Sequence, residues 1–189
     1  MKPALHVTTA ETPDESGHTE HYDHAILACH ADQALHMLQD ADSSERAALG
    51  EFKYQPNVAL VHTDARVMPR TGLCWSSWNY RVNYDEAGRV EPSTIYWINR
   101  LQGISSRRNY FISINGEETL APGSILRRID YEHPLFNDGA VRAQRDLPRL
   151  NERRSGVYFC GSYFRYGFHE DAFSSALNLS RLLAPETWA

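Results

Sequence analysis

The stretch from residue 54 to residue 131 constrains the fold most, because it reads almost entirely as short β-strands. Tyr54 to Thr63, Cys74 to Tyr84, Ser93 to Asn99, Tyr110 to Asn115 and Ser124 to Tyr131 are rich in Trp, Tyr, Ile, Val and Thr. Pro69, Gly72, Gly88, Pro92, Gly116 and Pro122 punctuate them as turns, which predicts an antiparallel sheet. Before this region, Leu5 to Thr9 and His18 to Tyr22 predict a hairpin closed by a turn over Glu11 to Gly17. Asp23 to Cys29 is a short apolar run of the kind expected for an interior strand buried on both faces. Ala31 to Leu38 and Ser43 to Gly50 predict two short helices, the second with a serine cap and a glycine stop. After the sheet region come a helix over Ala140 to Leu150 ending near Pro148, a strand over Ser155 to Cys160 and a helix over His169 to Leu183. The two ends of the chain are therefore expected to meet in one layer around an inserted β lobe. The fold class is α/β with α+β character, in which residues 1–30 and 151–189 form one domain and residues 31–150 the inserted one.

The 189 residues, 42% apolar and 23% charged, suit one domain or two small lobes. A net charge of −5 excludes a strongly basic nucleic-acid binder. The negative excess lies in the first quarter, since residues 1–50 carry nine acids against two bases. No apolar run reaches the length of a transmembrane span, and the first residues lack the apolar core of a signal peptide. Cys29, Cys74 and Cys160 are odd in number and widely spaced, which favours a reducing, cytoplasmic setting. Among the eleven glycines no two are separated by one residue, so a G-x-G-x-x-G dinucleotide loop cannot be placed, and no G-x-x-x-x-G-K-[ST] phosphate loop occurs either.

Near the C-terminus an apolar strand, Val157 to Cys160, stops at Gly161, an aromatic loop follows, and a helix starts near His169. Amides at a helix N-terminus bind polar or anionic groups, and glycine lets a planar ligand approach the main chain. A glycine turn packed by its own aromatic rings is the plain structural alternative.

Gly161-Ser162-Tyr163 followed by Tyr166-Gly167-Phe168-His169-Glu170-Asp171 resembles the late flavin-contacting segment of the flavin-containing amine oxidase superfamily. The similarity is greatest to its bacterial branch of predicted NAD/FAD-binding proteins. Asp23 to Ala34, Tyr54-Gln55-Pro56-Asn57, His62 to Arg66, Ser77-Trp78-Asn79-Tyr80, Tyr96 to Gln102 and Tyr131-Glu132-His133-Pro134 resemble that branch in the same order. The resemblance implies a partial amine-oxidase-like flavoprotein fold, the C-terminal half of an FAD-dependent oxidoreductase that moves a hydride from an organic substrate to flavin. Its Rossmann half, with the G-x-G-x-x-G loop, would lie elsewhere, either lost by truncation or supplied by a separate partner. Carried over residue by residue, Gly161, Ser162, Tyr166, Gly167, Phe168, His169 and Glu170 are the cofactor-side residues. The chain departs from the family pattern at Ala172 and Ala176, where relatives carry glycine. No catalytic residue is implied, because flavin chemistry resides in the cofactor.

On the substrate side, Trp75, Trp78, Tyr80, Tyr84, Tyr96 and Trp97 could line a cavity for a small-molecule or lipid-like substrate, although cross-strand packing accounts for most of them. Trp78, Asn79, Tyr80, Asn99 and Arg100 are the stronger candidates, since polar groups within an aromatic strand can orient a ligand. His62-x-Asp64 and His169-Glu170-Asp171 lack the spacing of a zinc signature, so no metal is expected. Cys29-His30 sits on a strand where neighbours point to opposite faces, which argues against a thiol–base pair. The arginine pairs 107/108, 127/128 and 153/154 read as solvated surface. Two further readings stand beside the enzyme: a non-catalytic remnant or subunit needing a Rossmann partner, and an aromatic-lined module binding a small molecule or lipid without flavin.

Overall fold

The computed structural model describes residues 5–9, 18–153 and 156–188, so the expected turn over 11–17, Arg154 and the first residue of the expected 155–160 strand lie outside the described residues. Contacts gather the chain into two units, Met1–Tyr54 with Pro134–Ala189, and Gln55–His133.

In the first unit, β1 (Leu5–Thr9) and β2 (His18–Tyr22) form the expected antiparallel hairpin, with Leu5 opposite Tyr22. Strand β3 (Ala25–Leu27) is followed by α1 (Ala31–Met37) and α2 (Ser43–Leu49). The cap of α2 is Asp42 and not a serine: its carboxylate accepts from the Ser44 and Glu45 amides, while Glu45 reaches back to the Asp42 amide. Strand β4 (Lys53–His62) leads out, and β8 (Ile125–Leu135) leads back. The expected single helix near 140–150 is two, α4 (Asp138–Ala143) and α5 (Leu147–Glu152). Pro148 opens α5 because the first turn of a helix needs no amide donor there. Strand β9 (Val157–Phe159) then runs parallel to β3, with Ile26 opposite Tyr158, and α6 (His169–Leu183) closes the unit.

One core joins Ala31, Ala34, Leu49, Phe52, Leu147 and Leu150 to Phe159 and Tyr163. Helices α1, α2, α4 and α5 therefore belong with the chain ends, and the divide falls at 54 and 134 where the sequence pattern had suggested 30 and 151. Strand β3 is not buried on both faces, since Ile26 is 51% exposed. Among the described residues β3 pairs only with β9, so this parallel sheet has two strands and lacks the layer that would cover its apolar residue.

The second unit holds β5 (Trp78–Tyr84), β6 (Val90–Trp97), α3 (Ile98–Gln102) and β7 (Phe111–Ile114) in addition to the lengths of β4 and β8. Its five strands lie in the order β5-β6-β7-β4-β8, with antiparallel β4/β7, β5/β6 and β6/β7 pairs. Residues 72–74 form a 3₁₀ turn instead of the start of β5, and Ile98 turns into α3 instead of extending β6. Leu60, Ile95 and Phe111 centre a core on one face of this sheet, with Trp75 packed edge-on to Trp97 at 5.2 Å.

His62 is fully buried in that core. The Asp64 amide donates to its Nδ1 at 3.2 Å, which puts the ring proton on Nε2, 2.8 Å from Ser113 Oγ. Burial depresses the His62 pKa, so the folded state holds the ring neutral while the unfolded chain protonates it near its ordinary value of 6.5. The stability tied to a neutral His62 is thus present above that pH and is lost as pH falls. Urea midpoints measured between pH 8 and 5 should drop on the acid side, and His62→Gln should flatten that drop.

Candidate flavin-side loop and substrate face

The loop that follows β9 is held from three directions. Ser175 Oγ in α6 accepts from the Gly161 amide at 2.8 Å and donates to the Ala172 carbonyl at 2.7 Å. Gln144, at the end of α4, donates to the Tyr163 carbonyl at 3.1 Å and also to the Arg165 carbonyl. Asp171 Oδ2 accepts from the Tyr166 amide at 3.1 Å and the Phe168 amide at 3.0 Å. Within the loop, the Ser162 carbonyl takes both the Arg165 and the Gly167 amides. The backbone between 161 and 168 is therefore fixed before any ligand arrives.

These bonds decide how far the cofactor-side residues fit a flavin. Gly161 is required by the chain itself, because a Cβ there would stand 2.5 Å from the Tyr163 ring. Gly167 adopts φ +89°, and its Cβ would meet the Phe136 ring at 3.0 Å. What faces outward is a set of rings, Tyr166, Phe168 and Phe173, at 68%, 69% and 61% exposure. Beside them is the first turn of α6, where His169 and Glu170 are exposed and the opening amides have no intrahelical acceptor. Planar aromatic faces next to unpaired amides suit one wall of an isoalloxazine site. Ala172 is half-buried and Ala176 exposed on α6.

Tyr163 is 1% exposed, 5.3 Å from the Phe52 ring, and its hydroxyl has no hydrogen-bond partner among the described residues. Burial drives its pKa far up, so the phenol is neutral. Tyr163→Phe should be neutral or stabilise by up to about 1 kcal/mol in urea unfolding, because it removes a desolvated donor and keeps the ring. Burial also raises the Cys29 thiol above its ordinary value, which counts against a thiolate nucleophile beside His30. Among the described residues no three His, Cys, Asp or Glu side chains gather as a metal site.

The substrate-side residues divide into three places within the second unit. Trp78 and Tyr80 lie on the exposed face of β5, their rings 6.4 Å apart. Asn79 points to the other face and uses its amide on the Ser76 and Ile95 carbonyls. Asn99 binds the Ser105 and Arg108 carbonyls and the Tyr110 amide, which makes it the organiser of the loop after α3. Asn99 and Arg100 share a cleft of ≈ 460 Å³ with Ser77, Trp97 and Ser105. The positioning residues Gln144, Asp171 and Ser175 were not singled out by sequence reasoning. Asp171 carried a usable signal, three residues after the Phe168 cap, where a capping-box acid belongs.

No family model and no curated protein matches the chain. Solved structures do. A protein named a "putative protoporphyrinogen oxidase", from Exiguobacterium sp. 255-15, is similar with a TM-score of 0.54 and 14% identity, over 89% of this chain and 42% of its own. A CLA-producing fatty acid isomerase from P. acnes is similar with a TM-score of 0.56 and 11% identity, over 96% of this chain and 45% of its own. The chain spans less than half the length of either structure. The mixed α/β architecture with its antiparallel sheet is thus similar, at low identity, to part of the fold of each of these two proteins.

Proposed function

We propose that the chain is the part of an amine-oxidase-like FAD-dependent oxidoreductase that supplies one wall of the flavin site together with the substrate lobe. The observation that carries this reading is the loop from Gly161 to Phe168, locked by Ser175, Gln144 and Asp171 while its rings face outward. In this reading Tyr166, Gly167 and Phe168 form the ring-facing surface with Ser162 beside them, while Gly161 lets the loop pack against its own Tyr163 ring. The His169 and Glu170 amides would hold a carbonyl edge of the flavin at the helix start. Bound FAD would supply the chemistry by accepting a hydride from a substrate C–H bond as the adjoining C–N or C–C bond is oxidised to C=N or C=C. The residues of this chain bind, orient and exclude water, and none is assigned a proton-transfer role.

A Rossmann half, on a longer form of the chain or on a separate one, would cradle the diphosphate, for which these eleven glycines offer no loop. The two-stranded β3/β9 sheet with exposed Ile26 supports that partnership, because a parallel sheet is ordinarily covered on both faces. The non-catalytic-subunit reading draws on the same observation. The neighbours' names, an oxidase and a fatty acid isomerase, are compatible with a small-molecule or lipid-like substrate. No helix among the described residues is long and apolar enough to cross a membrane.

Lumiflavin, which has the isoalloxazine ring but no ADP, is the direct probe. If the chain supplies the ring wall alone, lumiflavin and FAD should bind the 189-residue chain with similar affinity, ADP should not compete, and Tyr166→Ala with Phe168→Ala should weaken both. Failure of either flavin to bind, or indifference to those substitutions, would sink the reading.

A further inference from the structure

Over β5, β6 and β7, one face of the second unit's sheet carries rings without charges. Antiparallel partners share a face, so the pairs Trp78/Tyr96, Tyr80/Thr94, Val82/Pro92 and Tyr84/Val90 stand side by side, with Ile112 and Ile114 next to Tyr96 and Thr94. Arg81 and Glu91 belong to the opposite face. Along β5 the exposure of Trp78, Tyr80, Val82 and Tyr84 is 55%, 57%, 45% and 68%. Edge strands ordinarily carry charge where they are open to solvent, and this one presents none on that side. Beyond Tyr84, at the hairpin tip, Asp85 Oδ2 accepts from Arg89 Nε at 2.6 Å, and Glu86 follows it in the turn.

We propose that this face binds an extended, uncharged aliphatic chain, which makes the substrate class of the proposed oxidoreductase a neutral long-chain lipid and not a cationic amine. The inference rests on the substrate-lobe reading above. Shape supports it: six residue steps along β5 give a strip about 20 Å long, and two to three strands make it about 10–15 Å wide. The length is that of an extended acyl chain, and the width leaves apolar surface on either side of it. The same strip offers roughly 200–300 Å², well short of the ~800 Å² per partner that a stable dimer buries, so a second copy is a poor occupant. A cationic amine would find no carboxylate among these β5, β6 and β7 residues to offset the desolvation of its charge.

The test follows tryptophan emission of the full chain, with no flavin present, during titration with monomeric oleamide and, separately, with spermidine. Oleamide should shift the emission saturably, Trp78→Phe should abolish the shift, and spermidine should give none. Val82→Asp, which places a charge on an already exposed position of the face, should weaken oleamide at least tenfold. Asn83→Asp, one residue along on the opposite face, should change it less than twofold, and thermal melts of both variants keep folding in view. Equal effects of the two aspartates, preference for spermidine, or a dimer in light scattering that Val82→Asp dissociates would each overturn the proposal. So would co-sedimentation with phosphatidylcholine vesicles that excess oleamide does not reduce. Because the readout contains no flavin, oleamide binding without lumiflavin binding would remove the flavin reading alone, and the converse would remove this one.

Discussion

Replacing Asn151 with alanine should lower the unfolding free energy by about 3 kcal/mol, the largest loss expected from one surface-distant polar side chain here. Asn151 sits in α5, 6% exposed, and its amide faces the outer side of β9. Oδ1 accepts from the Phe159 amide and Nδ2 donates to the Phe159 carbonyl, both at 2.8 Å. One side chain thus performs for Phe159 what a neighbouring strand would, on the side of β9 away from β3. Phe159 itself is 1% exposed, so water cannot replace either bond when the amide is removed. Each orphaned buried backbone group costs about 1–3 kcal/mol, and two are created at once. Asn151→Asp should be nearly as damaging, because it keeps an acceptor for the Phe159 amide but sets a carboxylate against the Phe159 carbonyl. The check is urea unfolding: the midpoint should fall with little change in slope. A loss under about 0.5 kcal/mol would mean that the bonds to β9 are replaced by solvent after the substitution.

Why Asn151 was invisible in the sequence, while other elements were plain, is a matter of range. The hairpin of β1 and β2, the 31–37 and 43–49 helices, most of the sheet and the whole of α6 follow from periodicity within ten to fifteen residues. Asn151 meets Phe159 across a turn, Gln144 reaches residues some twenty positions on, and no local pattern distinguishes them from surface amides. Pro148 misled for a related reason: proline marks both helix ends and first turns, and only the packing of Leu147 and Leu150 decides between them. Ile26 showed the opposite failure. Its apolar strand has the composition of a covered one, yet no further strand pairs with β3 among the described residues. In the candidate site, Asn79 and Asn99 looked like ligand-orienting groups because composition cannot show that their amides are already bonded to the main chain.

Asp171→Ala should cost about 2–3 kcal/mol and loosen the whole flavin-side loop. The carboxylate is 6% exposed and accepts from two amides that straddle Gly167, those of Tyr166 and Phe168. It therefore does two jobs with one oxygen, ending the loop and starting the fifteen-residue α6. Alanine leaves both amides without an acceptor, and Gly167, which holds φ +89°, has no side chain to resist collapse of the loop into other conformers. Hydrogen exchange at the Tyr166 and Phe168 amides should accelerate strongly, and lumiflavin affinity should fall more than tenfold, since the exposed rings lose their fixed spacing. Asp171→Asn separates the causes. Its Oδ1 can accept the same two bonds, so it should retain most of the loop order and lose only about 0.5 kcal/mol from the missing charge at the helix start. Glu170→Ala, at the exposed neighbouring position, should stay within about 0.5 kcal/mol. If asparagine proved as harmful as alanine, charge at the helix N-terminus would be the controlling quantity, and the geometric account of the loop would fail.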